Sequence, residues 1–182
     1  MRDKKVLFMV QAAAIAAIYV VLTTIFAPLS FGEVQIRFAE GLTVLPYFTP
    51  AAIPGLFIGC IIGNFFGGAI PIDILCGSIA TLIGARLSYA LRKYKLLVPL
   101  PPIAANTLIV HFVLYYGYGV NLPIPFMMLT VGVGEVISCG VIGLVLLFAL
   151  DRYKGVIFRG VPAGGKQNRP WFYKPATKES IA

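Results

Sequence analysis

Not one charged residue interrupts the chain between Val6 and Leu29. A run that long is enough to cross a bilayer as a helix, which takes about 20 apolar residues. It is also too long for the ~7–15-residue apolar core of a cleaved signal peptide. We therefore read it as a retained first helix, and the rest of the chain has to be compatible with a membrane. Of the 182 residues, 59% are hydrophobic and 12% charged, against about 25% charged in ordinary soluble domains. So few charges cannot cover a soluble surface. The length allows roughly six spans with short connections and leaves no room for a soluble domain beyond a tail.

The expected fold is all-α: an integral membrane bundle of six transmembrane helices over residues 1–151. A basic cytoplasmic tail, 152–182, is expected to be partly disordered. The pattern places helices at about Lys5 to Ala27, Phe38 to Tyr47, Ala51 to Phe66, Asp73 to Leu91, Ile103 to Tyr116 and Ile124 to Leu150. Prolines and glycines punctuate them: Pro28, Pro46, Pro50, Gly67 to Pro71, and Val98 to Pro102. Six spans put both termini on one side. Fourteen of the fifteen basic residues then fall on that side and Arg37 alone on the other, so the positive-inside rule makes both termini cytoplasmic. The net charge of +8 thus reflects topology rather than a nucleic-acid partner.

Polar residues within this frame are few and carry information, because charge at membrane depth is costly and points to function. Phe31 to Pro46, FGEVQIRFAEGLTVLP, packs Glu33, Gln35, Arg37 and Glu40 into one stretch. Asn64, Asp73, Asn106 and Glu135 fall in the outer half of the other helices, with His111 at mid-depth as a core histidine. Arg37 and Glu40 are three apart and are expected to pair on one helix face. Asp73 is placed to cap its helix, and Glu135 lies inside a span, where structure alone does not explain it. Gln35 lies in the loop over the pocket. Phe38, Phe65, Phe66, Tyr115 and Tyr116 are candidate stacking rings. The simplest arrangement is a pocket open to the outside and closed below.

Two small-residue patterns suit close helix packing: Ala12, Ala13, Ala16 and Ala17, and the ridge Gly55, Gly59, Gly63. Cys60, Cys76 and Cys139 show no metal-ligand spacing and are read as packing residues. Gly160 to Gln167 nearly matches a phosphate-binding loop, but it lacks the Ser or Thr and runs into Arg169-Pro170 with no room for a nucleotide fold. No catalytic constellation is present, so an intramembrane enzyme is the remote alternative. No metal or cofactor is expected.

FGEVQIRFAEGLTVLP resembles the signature of the QueT family. AAIPGLFIGCIIGN (51–64), DILCGSIATLIGA (73–85), PPIAANTLIV (101–110) and VGVGEVI (131–137) are similar in the same order, over roughly residues 5–150. Glu33, where Pro is common, and Ala39, often Ser, depart from the pattern. The resemblance implies a six-helix S component of an energy-coupling-factor (ECF) transporter in a prokaryotic cell membrane. Such a protein works with a transmembrane coupling protein, EcfT, and two cytoplasmic ATPases, and it takes up queuosine precursors, 7-deazaguanines or queuine. The Ala-rich face of the first helix would dock EcfT. An S component for another vitamin is the alternative.

A 7-deazaguanine offers two donors and a carbonyl on one edge, and a cationic amine on its 7-substituent. Carboxylates accept from such donors, and amides or guanidinium groups donate to the carbonyl. The candidate binding set is Glu135, Asp73, Asn106, Gln35, Glu40, Arg37 and Asn64. Glu135 or Asp73 is favoured for the guanine edge, with Asn106 nearby.

Overall fold

The computed structural model describes residues 2–30 and 36–157. Gln35, Glu33, most of the basic tail and the phosphate-loop-like segment lie outside the described residues. Within them the chain is an all-α bundle without strands.

Helix 1, Arg2–Ile25, is continuous and largely exposed along its outer face. Helix 3, Ala52–Phe66, lies against it. The glycine ridge explains how closely the two approach. A Cβ added to Gly55 would lie 2.7 Å from the Ala12 carbonyl oxygen; one on Gly59 would lie 2.8 Å from Tyr19 Cβ. One on Gly63 would meet Thr23 Oγ1 at 3.0 Å. The expected packing role of this ridge is what the structure contains. Ala12 and Ala16 face the crossing, whereas Ala13 and Ala17 are exposed.

Helix 2, Phe38–Tyr47, has the expected bounds but is a 3₁₀ helix, and every residue from Ala39 to Pro46 is buried. Runs of 3₁₀ beyond three or four residues are uncommon, so its surroundings must hold it. Pro46 removes one backbone donor, and Gly41 sits against helix 6, where a Cβ would meet Ile142 Cγ2 at 3.1 Å. At about 2.0 Å rise per residue it extends roughly 20 Å, well short of the ~30 Å hydrocarbon core.

Helix 4 is Pro71–Ala90. Helix 5, Leu100–Phe112, takes Pro101 and Pro102 into its first turn and ends in a π-helical turn, Val113–Gly117. Prolines fit there because the first-turn N–H groups have no intrahelical acceptor. Gly84 lets helices 4 and 5 touch, its missing Cβ lying 2.7 Å from Pro102 Cα. Helix 6 runs Ile124–Glu135, continues as a π-helical segment, Val136–Ile142, and resumes as Gly143–Ile157. A Cβ on Gly143 would lie 2.9 Å from Val44 Cγ1, so the irregular part of helix 6 follows the buried 3₁₀ helix.

Four segments are long and apolar enough to cross a membrane: Lys4–Ile25, Pro71–Ala90, Lys95–Gly117 and Ile124–Tyr153. Helix 3, with 15 residues, and helix 2 are shorter than a full crossing. The apolar core gathers on the 3₁₀ helix, where Val44, Leu45 and Phe48 pack with Tyr19, Leu56, Cys60 and Leu147.

Candidate functional site

Burial sorts the polar residues. Arg37, Glu40, Asn64, Asp73, Asn106 and Glu135 are each at most 4% exposed. Six of the seven residues expected in the site are therefore interior, drawn from the segments at and before helix 2 and from helices 3 to 6. Gln35, the seventh, lies outside the described residues.

Two clusters form. In the first, Arg37 Nη2 lies 3.5 Å from Asp73 Oδ2, both side chains being almost fully buried. Tyr118 donates its hydroxyl to the same oxygen at 3.0 Å and accepts from the Ile70 backbone N–H at 3.4 Å. Burial, and then the nearby Asp73 charge, push the Tyr118 phenol up, so it stays a donor. Asp73 does not cap helix 4: Ile70 is the N-cap and no side chain caps it. From the first turn Asp73 reaches across to Arg37. Arg37 itself precedes helix 2 in extended conformation, with φ −94° and ψ 92°. The expected Arg37–Glu40 helical pair is thus replaced by Arg37–Asp73. Gly77 lets these groups close in on helix 4. A Cβ there would lie 3.3 Å from Asn64 Nδ2 and 3.5 Å from both Arg37 Nη1 and Asp73 Oδ1.

The second cluster centres on Glu40. Tyr19 donates to Glu40 Oε1 at 2.5 Å and Thr81 to the same oxygen at 3.1 Å. The Glu40 carbonyl accepts from Thr43 Oγ1 at 2.6 Å and from Cys139 Sγ at 3.4 Å. Cys139 Sγ is also 3.2 Å from Glu135 Oε2. One ligand-type atom each from Glu40, Glu135 and Cys139 lies within 4.8 Å of the others, a donor set that suits a cation. Asn106 neighbours Glu135.

Several buried atoms in these clusters lack a hydrogen-bond partner: Glu40 Oε2, Asp73 Oδ1, Ser138 Oγ, and both amide atoms of Asn106. Buried polar groups are normally paired, because an unmade bond costs about 1–3 kcal/mol. These atoms are concentrated on helices 2, 4, 5 and 6.

Other expectations fare differently. Phe65, Phe66 and Tyr116 are at least 66% exposed and face outward. Phe38 stacks on Phe26, centroids 4.4 Å apart. His111 Nδ1 sits 2.8 Å from the Thr107 carbonyl, which can only accept, so the imidazole is satisfied locally as a core histidine. Sequence reasoning did not place Tyr19, Thr81, Tyr118, Ser138 and Cys139 in the site. For three of them the signal was present. Thr81 follows Asp73 and Gly77 at four-residue spacing, and Ser138 and Cys139 stand three and four after Glu135. Beside helix 1, an open apolar groove of about 700 Å³ is lined by Ala13, Ala17, Val21, Pro54 and Ile58, among others.

The profile of the QueT transporter family matches residues 9–152. The chain is 32% identical over 93 residues to a "Queuosine precursor transporter QueT" from Lactococcus lactis subsp. cremoris, covering 50% of this chain and 54% of that protein. It thus spans about half the length of the curated relative it matches. No solved structure matches it.

Proposed function

Because the chain belongs to the QueT transporter family, we propose that it is the substrate-capture subunit of an ECF-type importer, binding a queuosine precursor of the 7-deazaguanine class. The observation that carries the reading is the set of buried, unpartnered polar atoms on Glu40, Asp73, Asn106 and Ser138. Around Gly77 an acceptor, Asp73 Oδ1, meets two donor groups, Asn64 Nδ2 and Arg37 Nη1. That is the complement of a guanine edge, whose N–H groups need a carboxylate and whose carbonyl needs a donor. The missing side chain of Gly77 lets these three groups close in on helix 4, where a Cβ would already touch them at 3.3–3.5 Å.

In this reading the protein is multi-pass with both termini cytoplasmic. Ligand enters from outside, and ATP is hydrolysed by two partner ATPases coupled through EcfT. Ala13 and Ala17, exposed on helix 1, supply the small-residue face for EcfT, while Ala12 and Ala16 hold helix 1 to helix 3.

Binding to the purified chain tests the proposal, with queuine titrated beside riboflavin, thiamine and folate. Saturable binding of queuine and of none of the vitamins is expected. Binding of another vitamin with no response to any deazaguanine would overturn the substrate assignment. Copurification with the coupling protein and ATPases tests the assembly. Ala13→Trp with Ala17→Trp should abolish it and leave ligand affinity unchanged.

A further inference from the structure

The buried ionisable groups do not balance. Among the described residues the interior holds three carboxylates, Glu40, Asp73 and Glu135, against one guanidinium, Arg37. His111 is engaged with a carbonyl. Arg37 is matched to Asp73 at 3.5 Å, which leaves the carboxylates of Glu40 and Glu135 in excess, close together and at most 3% exposed. An uncompensated buried ion is penalised by several kcal/mol, and more heavily at membrane depth.

The surroundings of this pair are rich in unused acceptors. Glu40 Oε2 has no hydrogen-bond partner, and neither does Asn106 Oδ1, although Asn106 is 1% exposed and beside Glu135. An ammonium group carries three donors and no acceptor. Glu40 Oε2, a Glu135 oxygen and Asn106 Oδ1 offer the three acceptors it needs.

We propose that the ligand is bound as a cation, its ammonium held between Glu40 and Glu135, so that the site selects amine-bearing deazaguanines over neutral ones of the same shape. The inference rests on the deazaguanine reading above and adds the charge of the ligand and the end of the pocket that holds it. Gly77, beside the Asp73–Asn64 end, and Thr81, which holds Glu40 Oε1 at 3.1 Å, stand four residues apart on one face of helix 4, which places the base edge at Asp73–Asn64 and the amine at Glu40–Glu135.

The test compares 7-aminomethyl-7-deazaguanine with 7-cyano-7-deazaguanine by calorimetry on the purified full chain, with a chelator present. The amine should bind at least about 10-fold more tightly, as expected for a charge-assisted hydrogen-bond set. Glu40→Gln and Glu135→Gln should weaken the amine by about 10-fold more than they weaken the nitrile. A thermal melt of each variant reports whether it still folds. If a variant does not fold, the wild-type comparison decides alone. Equal wild-type affinity for the two compounds would overturn the cation assignment and leave the transport reading standing. Binding of neither compound and no response to queuine would overturn the deazaguanine reading itself. Amine binding that vanishes in chelator and returns with a divalent metal would also overturn the assignment, because the metal would then occupy the pair.

Discussion

Tyr19 of helix 1 donates its hydroxyl to the Glu40 carboxylate on the buried 3₁₀ helix, 21 residues along the chain. The same Tyr19 packs its Cβ beneath Gly59 of helix 3. One side chain therefore joins the helix carrying the proposed docking face to a carboxylate of the proposed ligand site. Tyr19→Phe keeps the ring and its packing but removes the donor, leaving Glu40 Oε1 with Thr81 alone among the hydrogen bonds described. A hydrogen bond to a charged group contributes about 1.5–3 kcal/mol. The variant should lose stability on that scale in a detergent melt and bind ligand more weakly. Unchanged stability and affinity would show that Tyr19 only fills space.

Arg37 and Asp73 should behave as a unit. Asp73→Asn leaves a buried guanidinium short of its anion, and breaking such a pair costs about 3–5 kcal/mol. Arg37→Met combined with Asp73→Leu removes both charges and should cost less than Asp73→Asn alone. Denaturant melts of Arg37→Met, of Asp73→Leu and of the double measure the coupling. Additive losses would mean that the two charges act independently.

Two glycines on neighbouring helices should respond in opposite ways. At Gly59 an added methyl meets Tyr19 Cβ at 2.8 Å and Ala16 backbone at 3.0 Å, so Gly59→Ala should cost about 1–3 kcal/mol through overpacking. At Gly77 the nearest atoms are 3.3–3.5 Å away, and alanine is the better helix former by about 1 kcal/mol. Gly77→Ala should therefore melt no lower than wild type yet lose about 10-fold or more in ligand affinity, the methyl pressing on the Asn64, Arg37 and Asp73 groups proposed to hold the base. Paired melting and binding measurements separate the outcomes. Wild-type affinity in Gly77→Ala would remove that position from the site.

Much of this was legible from residue order. Long uncharged runs fixed the helical membrane class, and the bounds of helices 2 and 3 follow the prolines and glycines around them. The interior placement of Glu40, Asp73, Asn106 and Glu135 followed from the cost of polar groups in hydrocarbon. What sequence did not reveal were partnerships between distant segments. Arg37 and Glu40, three apart, suggest a helical pair, but backbone at Arg37 is extended and its partner comes from helix 4. Local spacing carries no information about which side chain 36 residues away will arrive. The 3₁₀ character of helix 2 was hidden for the same reason, since its hold comes from helix 6 pressing at Gly41 and Gly143. Tyr118 lies in a loop, Tyr115 to Pro123, whose aromatic composition by itself points only to a membrane interface.

The π-helical segment Val136–Ile142 has a bearing on how relatives should be compared. Each residue of a regular helix turns the chain by about 100°. Deleting one residue from that segment would restore ordinary winding and, with Gly143–Ile157 fixed in place, rotate Glu135 away from Glu40 by about that angle. The hydropathy profile would scarcely change. A homologue lacking one residue here would look like the same transporter by composition while turning its carboxylate toward lipid. Gap placement in this segment is therefore a sharper guide to shared ligand chemistry than the overall percentage of identity.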